Sequence, residues 1–140
     1  MLFRSGSPNS IGNQLAAKYP FVTYLGYLDN NALETEAATW TCFINPVFYY
    51  SRGVSTKLAK ALSWGLPVVT TTIGCRGYVW TMGSLNIADT AMEMAIAIQT
   101  LSNDSLFIAN SDKQIRELVS SIPKLSENEN HLRAFISQVS

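Results

Sequence analysis

A helix stop followed directly by a β-branched run restricts the fold more than any other feature of the chain. The stop lies at residues 61–67, where Gly65 suits the left-handed position after a helix and Pro67 prevents the helix from continuing. Residues 67–72 then run Pro-Val-Val-Thr-Thr-Thr, without alternation of polar and apolar side chains. Because a half-exposed strand alternates, this pattern predicts a strand in the middle of a parallel sheet.

Four other short runs have strand character, and helical segments separate or follow them. The runs are residues 1–4, 21–25, 39–44 and 84–87. After the last of them, helices are predicted at 91–101, 106–121 and 127–139, with Pro123 separating the final two. Strands and helices that alternate over short connections predict an α/β fold, a Rossmann-like parallel sheet with helices on both faces.

Side chains that can cap helices mark several predicted helix starts. Ser10 is expected to cap a helix at 11–18. Reciprocal capping pairs, in which an oxygen side chain precedes a Glu by three residues, are Asn31 with Glu34, Thr90 with Glu93, and Ser126 with Glu129. Each pair is expected to mark a helix start.

The composition of the chain excludes some functions and suggests that a neighbour covers part of its surface. The chain has 140 residues with ten Lys plus Arg and ten Asp plus Glu, so its formal net charge is 10 − 10 = 0. This balance excludes a strongly basic surface that binds nucleic acid by charge. Only 14% of residues are charged and 47% are apolar, so we expect a single domain with a well-filled core and a neighbour over part of its surface.

The cysteines and the histidine do not form a metal-binding pattern. Cys42 and Cys75 are distant from each other and from His131, so no metal site is expected. Cys42 lies in an apolar run that is typical of a buried thiol in a reducing compartment. No apolar run is long enough to cross a bilayer, and residues 1–4 are too short for a signal peptide. We therefore expect a cytoplasmic protein.

The loop after the third predicted strand has the features of an anion site. It brings Gly53, Ser55, Thr56 and Lys57 to the start of a helix. Free N–H groups at a helix N-terminus favour a bound phosphate, and a glycine allows the backbone to approach it closely. The alternative is that Ser55 or Thr56 only caps the helix and Lys57 is a solvated surface charge. The chain contains neither a P-loop nor a Gly-x-Gly-x-x-Gly motif.

Other candidate site residues lie in the loops after the third and the fourth predicted strands. Arg76, in the glycine-containing loop at 73–78, would either meet an anion or belong to a tight turn. Cys75 is a weak candidate for a nucleophile, because nothing places His131 beside it. The aromatic residues 48–50 would flank a ring of a ligand or belong to a core or an interface rim.

The order of residues in about half of the chain resembles a known family. The matching segments are 22–29, 44–46, 53–71, the glycines at 74 and 77, and 87–89. Together they resemble the nucleotide-sugar-binding domain of GT-B glycosyltransferases of the group 1 type, and the segment 53–71 is the most specific of them. The resemblance implies a Rossmann-like fold that binds the donor for a retaining enzyme, with a role in polysaccharide biosynthesis.

The resemblance also implies a partner for this chain. Such enzymes bind the acceptor on an N-terminal domain, and residues 1–140 resemble only the donor-binding domain. The family's first βα unit of that domain, with its basic diphosphate-binding loop, has no counterpart before Met1. We therefore expect a fragment of a two-domain enzyme, inactive alone, with peripheral membrane association only through the absent half.

Site residues follow from the resemblance position by position. A phosphate-binding role is implied for Gly53, Val54, Ser55, Thr56 and Lys57, and a positional role for Arg52 and Lys60, which stand where the family has acidic donor contacts. The implied substrate is a nucleotide-diphosphate sugar, with no metal cofactor. Because Arg52 and Lys60 are basic, the alternative is a non-catalytic glycosyltransferase-like interaction module. A related sugar epimerase is a further alternative without a diagnostic residue.

Overall fold

A computed structural model describes residues 2–3, 10–49, 52–122, 129 and 133–137 of the chain. The elements are β1 (Leu2–Phe3), α1 (Ser10–Lys18), β2 (Thr23–Tyr24), α2 (Asn30–Ala37), β3 (Phe43–Asn45), α3 (Thr56–Ser63), β4 (Val68–Thr70), β5 (Asn86–Ile87), α4 (Ala91–Asn103) and α5 (Ser105–Ser121). This order confirms the predicted α/β class. All five predicted strands are present, each two or three residues long.

The chain divides into two compact units, Met1–Thr39 and Trp40–Ser140. The strands correspondingly pair in two ladders, β1-β2 and β3-β4-β5, rather than in one. All of these pairings are parallel, as the alternation of strands and helices predicted.

In the first unit, α1 packs closely on β2. A Cβ atom placed on Gly12 of α1 would overlap the ring of Tyr24 in β2. A glycine in a helix interior costs about 1 kcal/mol relative to alanine, and the close approach of the tyrosine ring explains why it stands here.

In the second unit, β4 is the central strand, as its β-branched sequence predicted. Ile44 of β3 pairs with Val69 of β4, which pairs in turn with Asn86 of β5. Val68 and Val69 are both fully buried although they point to opposite faces of the sheet. Each face therefore has its own apolar cover.

The covers are two clusters, here called the Val68 core and the Val69 core. The Val68 core consists of Leu58, Ala61, Leu62, Val68, Leu85, Ile115 and Leu118, and the Val69 core of Val69, Ala88, Met94 and Leu101. Helices α3 and α5 supply the first core, and α4 supplies the second. Helices on both faces of this sheet confirm the prediction.

The helix-end predictions are confirmed in two places. Thr90 caps α4 in a complete capping box with Glu93. After α3, Gly65 adopts a φ of 67°, the left-handed conformation predicted for the residue that follows the helix.

The prediction for α2 is wrong by two positions. The cap is Asp29, whose carboxylate accepts from the backbone N–H of Ala32 at 2.8 Å, and Asn31 lies within the first turn. The reciprocal capping pattern matched Asn31 because it is followed three positions later by Glu34, whereas Asp29 has no Glu at that distance.

At α1 and beyond α5, smaller differences and gaps remain. Ser10 is the first helical residue of α1 rather than the residue before the helix. Residues 133–137 are helical, in agreement with the predicted last helix, whereas Pro123 and Ser126 lie outside the described residues. None of the helices in the described ranges has the length and apolar character needed to cross a bilayer.

Candidate functional site

The loops after β3 and β4 enclose a cleft of about 250 Å³. It is lined by Asn45, Val47, Gly53, Val54, Ser55, Thr56, Lys57, Ile73 and Gly74. Both loops leave the carboxyl ends of neighbouring parallel strands, which is where open α/β sheets bind their ligands. All of the lining residues belong to the second unit.

The start of α3 forms one wall of the cleft. Ser55 has an extended backbone and caps the helix, with its Oγ accepting from the backbone N–H of Leu58 at 3.3 Å. The N–H groups of Thr56 and Lys57 have no acceptor among the described residues. Ser55 therefore acts as a cap while leaving two amides at the positive end of the helix for a ligand.

Gly53 allows the backbone to turn at this wall of the cleft. Its φ of 75° lies in the left-handed region, which side chains other than glycine rarely adopt. A Cβ atom at this position would meet nothing within 4 Å, so the backbone of Gly53 is open to an approaching group.

A buried polar network holds the floor of the cleft. Asn45, only 4% exposed, donates through Nδ2 to Thr70 Oγ1 at 3.1 Å and to the Gly74 carbonyl at 3.3 Å. A Cβ atom on Gly74 would overlap Thr70 Oγ1 and lie 2.8 Å from Asn45 Nδ2. The network thus requires glycine at position 74 for space.

Thr71 joins the two loops at the floor. Its Oγ1 donates to the Val47 carbonyl at 2.6 Å and accepts from the Gly74 N–H at 2.9 Å. Because each loop contributes one of these partners, the hydroxyl ties them together.

The loop after β4 also supports the wall from outside. Arg76 Nη2 donates to the Gly53 carbonyl at 2.8 Å, and the Tyr78 hydroxyl donates to the Ser55 carbonyl at 2.6 Å. Burial raises the pKa of Tyr78, so its phenol stays protonated and able to donate near neutral pH. These two bonds hold the ends of the segment 53–55.

Asp89 holds the same loop from the end of β5. Its carboxylate accepts from the Thr72 hydroxyl and from the Thr72 backbone N–H, each at 2.7 Å. These hydrogen bonds, that of the hydroxyl first, lower the pKa of Asp89. The residue thus remains ionised and holds Thr72, which directly precedes the cleft-lining Ile73.

The residues predicted from the sequence separate into two groups. Gly53, Val54, Ser55, Thr56 and Lys57 come together along the cleft. Arg52 is exposed and does not line it. Lys60 does not line it either, and its Nζ lies over the ring of Trp64 at 5.4 Å from the centroid.

The structure also places Arg76 and Cys75, the two residues of the loop after β4 whose roles the sequence left open. Arg76 contacts a backbone carbonyl of the cleft wall. Cys75 donates its thiol hydrogen to the Thr72 carbonyl, and burial raises its pKa, so the thiolate that a nucleophile needs is disfavoured. His131 lies outside the described residues.

The polar floor of the cleft was not predicted from the sequence. Asn45 and Thr70 are the last residues of β3 and β4, and a polar residue next to or within an otherwise apolar or β-branched run was the available signal. In the described part of the chain, no three His, Cys, Asp or Glu side chains gather as metal ligands would.

A parallel α/β sheet with a cleft at its carboxyl edge, bordered by a helix N-terminus, defines a Rossmann-like α/β domain. Comparison with protein families identifies it further: the family described as Glycosyl transferases group 1 matches residues 5–104, and the chain belongs to this family. Comparison with curated proteins and with solved structures gives no match. The family supports a role in glycosyl transfer.

Proposed function

We propose that the cleft binds the diphosphate of a nucleotide sugar and that the chain is the donor-binding domain of a retaining glycosyltransferase. One observation carries the proposal: the amides of Thr56 and Lys57, without acceptors among the described residues, lie at the N-terminus of α3 on the cleft. Membership of a glycosyltransferase family supplies the reaction class. Two parts of the proposal rest on the sequence resemblance: that the transferred sugar retains its anomeric configuration, and that the enzyme acts in polysaccharide biosynthesis.

The chemistry explains why such a site would serve transfer. Departure of the nucleoside diphosphate leaves negative charge on phosphate oxygens, and donors fixed in advance lower the barrier. The helix amides and the Lys57 ammonium are such donors, so the proposal includes no metal cofactor. Gly53 lets the backbone approach the phosphates.

The remaining groups are proposed to come from another domain. Among the described residues, the lining of the cleft contains no carboxylate and no imidazole. We therefore propose that the chain alone transfers no sugar and needs an acceptor-binding domain, through which any membrane association would occur. Both cysteines are free thiols, which supports a cytoplasmic setting.

Calorimetry with nucleoside diphosphates and their sugars tests the proposal. Lys57→Gln should weaken binding about tenfold or more, because a hydrogen bond to a charged group contributes about 1.5–3 kcal/mol. Lys113→Gln is the matched control, since Lys113 is an exposed residue of α5 that pairs with Glu117 at 3.8 Å. A folded sample that binds none of these ligands contradicts the proposal.

A proline substitution tests the helix amide itself. Thr56 is the first residue of α3, where proline is well tolerated, and the extended Ser55 suits the position before a proline. Thr56→Pro should fold and lose several-fold in affinity, because it removes one N–H group. Thr56→Ala keeps that group and should lose less. Equal affinities of the two variants would mean that the Thr56 amide does not contact the ligand.

The basic residues at positions 52 and 60 favour a second candidate, a non-catalytic interaction module. In the family these positions carry acidic donor contacts, whereas Lys60 here lies over Trp64. Lys60→Glu in the complete protein separates the candidates. A large gain in sugar transfer indicates that the natural chain is a weakened enzyme. A variant that still transfers no sugar supports the non-catalytic interaction module.

A further inference from the structure

Three aliphatic residues line the cleft: the half-buried Val47 and two more exposed side chains, Val54 and Ile73, which come from opposite loops. Val54, in the loop after β3, is 52% exposed, and Ile73, in the loop after β4, is 37% exposed. Exposed aliphatic surface in a cleft is stabilised when a ligand covers it. The backbone amides of α3 and the Lys57 ammonium, which are proposed to bind phosphate, are not part of this aliphatic surface.

Val54 is held in place before any ligand arrives. Its neighbours Gly53 and Ser55 have their carbonyls bonded by Arg76 and Tyr78. A Cβ atom on Gly77 would lie 2.9 Å from Val54 Cγ2, so the second loop passes directly against the Val54 side chain. A fixed aliphatic surface binds without paying much ordering entropy.

We infer that the cleft takes phosphate esters whose ring packs against Val54 and Ile73, and that it selects them over inorganic phosphates. The inference rests on the proposed function and adds to it the residues that choose the organic part of the ligand. Inorganic phosphate would reach the amides of α3 yet leave both side chains in water. A ring attached to the phosphate covers them.

The ring has two possible sources in a nucleotide sugar, the nucleoside and the transferred sugar. Both offer carbon-bound hydrogens to an aliphatic wall. Two matched pairs of probes distinguish them: UDP or ADP against pyrophosphate for the nucleoside end, and glucose 1-phosphate against phosphate for the sugar end. Each pair differs by the ring-bearing part.

The experiment measures dissociation constants of these probes for the full chain and for Val54→Thr and Ile73→Thr. Threonine keeps the branch at Cβ and places a hydroxyl on the wall, so each variant should lose about three- to tenfold in affinity for the ring-bearing probes. Affinity for the inorganic probes should stay unchanged. Val79→Thr is the matched control, because Val79 is 87% exposed and does not line the cleft.

The outcomes separate the two claims. Selective loss for the nucleoside probes, for glucose 1-phosphate, or for both supports the inference and identifies the ring. Inorganic probes that bind as well as the esters, or variants that lose equally for all probes, overturn the inference and leave the proposed function standing. If no probe binds the folded chain, both are overturned. Lys57→Gln should weaken every probe by a similar factor, which identifies the phosphate contact independently of the ring.

Discussion

Asn45 organises the cleft through atoms that are distant along the chain. Its amide nitrogen bonds to Thr70 and Gly74, and the Thr70 hydroxyl donates back to the Asn45 carbonyl at 3.3 Å. Buried polar groups cost free energy unless they are paired, so this network is stable only in one arrangement. The floor of the cleft is therefore held in a single arrangement by this network.

Gly74→Ala tests how closely that floor is packed. The new methyl group would overlap Thr70 Oγ1, so unfolding free energy should fall by about 1–3 kcal/mol, as in other overpacked sites. Denaturant titration measures it. Thr70→Ala makes room, so the double variant should be less destabilised than the two single variants added together. Strict additivity would contradict the steric explanation.

Asp89 gives the loop after β4 an acid-sensitive contact. Hydrogen bonds from Thr72 lower the pKa of Asp89, so its contribution to stability is fully present above the unfolded pKa, about 3.9, and is lost as the pH falls through the folded value. Asp89→Asn should lower the melting temperature at pH 7, and the difference from the parent chain should shrink towards pH 3. Thermal melts at both values measure it.

Asp112→Asn is the control for this comparison, since the Asp112 carboxylate accepts no hydrogen bond from the described residues. A difference between the parent chain and Asp89→Asn that stays constant from pH 7 to pH 3 would show that the carboxylate charge is not what holds Thr72.

At the scale of elements, short local signals place helix boundaries to within a turn. Thr90 and Glu93 bond each other's backbone N–H groups, and Gly65 ends α3. The observed start of α2 differs from the predicted one because Asp29 caps the helix, whereas the capping pattern matched Asn31 with Glu34. Where two capping residues compete, local spacing alone does not choose between them.

Thr90→Ala tests the cap of α4. The loss of the Thr90 oxygen leaves the Glu93 N–H without its acceptor, and unfolding free energy should fall by about 1 kcal/mol. Thr100→Ala is the matched control in the same helix, where the hydroxyl bonds only the Ile96 carbonyl among the described residues. Because alanine is the better helix former, that variant should be neutral or slightly stabilised. Similar losses in both variants would contradict a capping role.

At the scale of the whole molecule, the second unit depends on a helix outside the matched family segment. The match ends at residue 104, and α5 begins at Ser105. Nevertheless α5 supplies Ile115 and Leu118 to the Val68 core, and its first turns pack Phe107 and Ile108 against the Val69 core. Removal of α5 would therefore expose both faces of the sheet.

Leu101→Ala and Ile115→Ala test the two cores separately. Both side chains are 1% exposed, so each change should lower the unfolding free energy by about 2–5 kcal/mol. Ile96→Ala is the control on the exposed side of α4 and should cost far less, since Ile96 is 55% exposed. Chemical denaturation measures all three, and equal losses at positions 96 and 101 would contradict the burial assigned here.

Features that depend on neighbouring residues were predictable from the amino-acid order. The central strand β4, the left-handed Gly65, the capping box of α4 and the loop-to-helix junction at 53–57 all depend on groups within a few residues of each other. Backbone sterics and local hydrogen bonds act over that distance. The anion-site candidate was therefore visible before the fold was.

Long-range contacts, in contrast, were decided by the fold. Asn45 meets Gly74 across 29 positions, and Arg76 meets Gly53 across 23. Nothing in the sequence near Arg76 distinguishes a residue that binds a ligand from one that supports a carbonyl of the cleft wall. Packing of the sheet brings these groups together, and only the resulting distances show which polar side chains hold the cleft and which backbone amides remain open to a ligand.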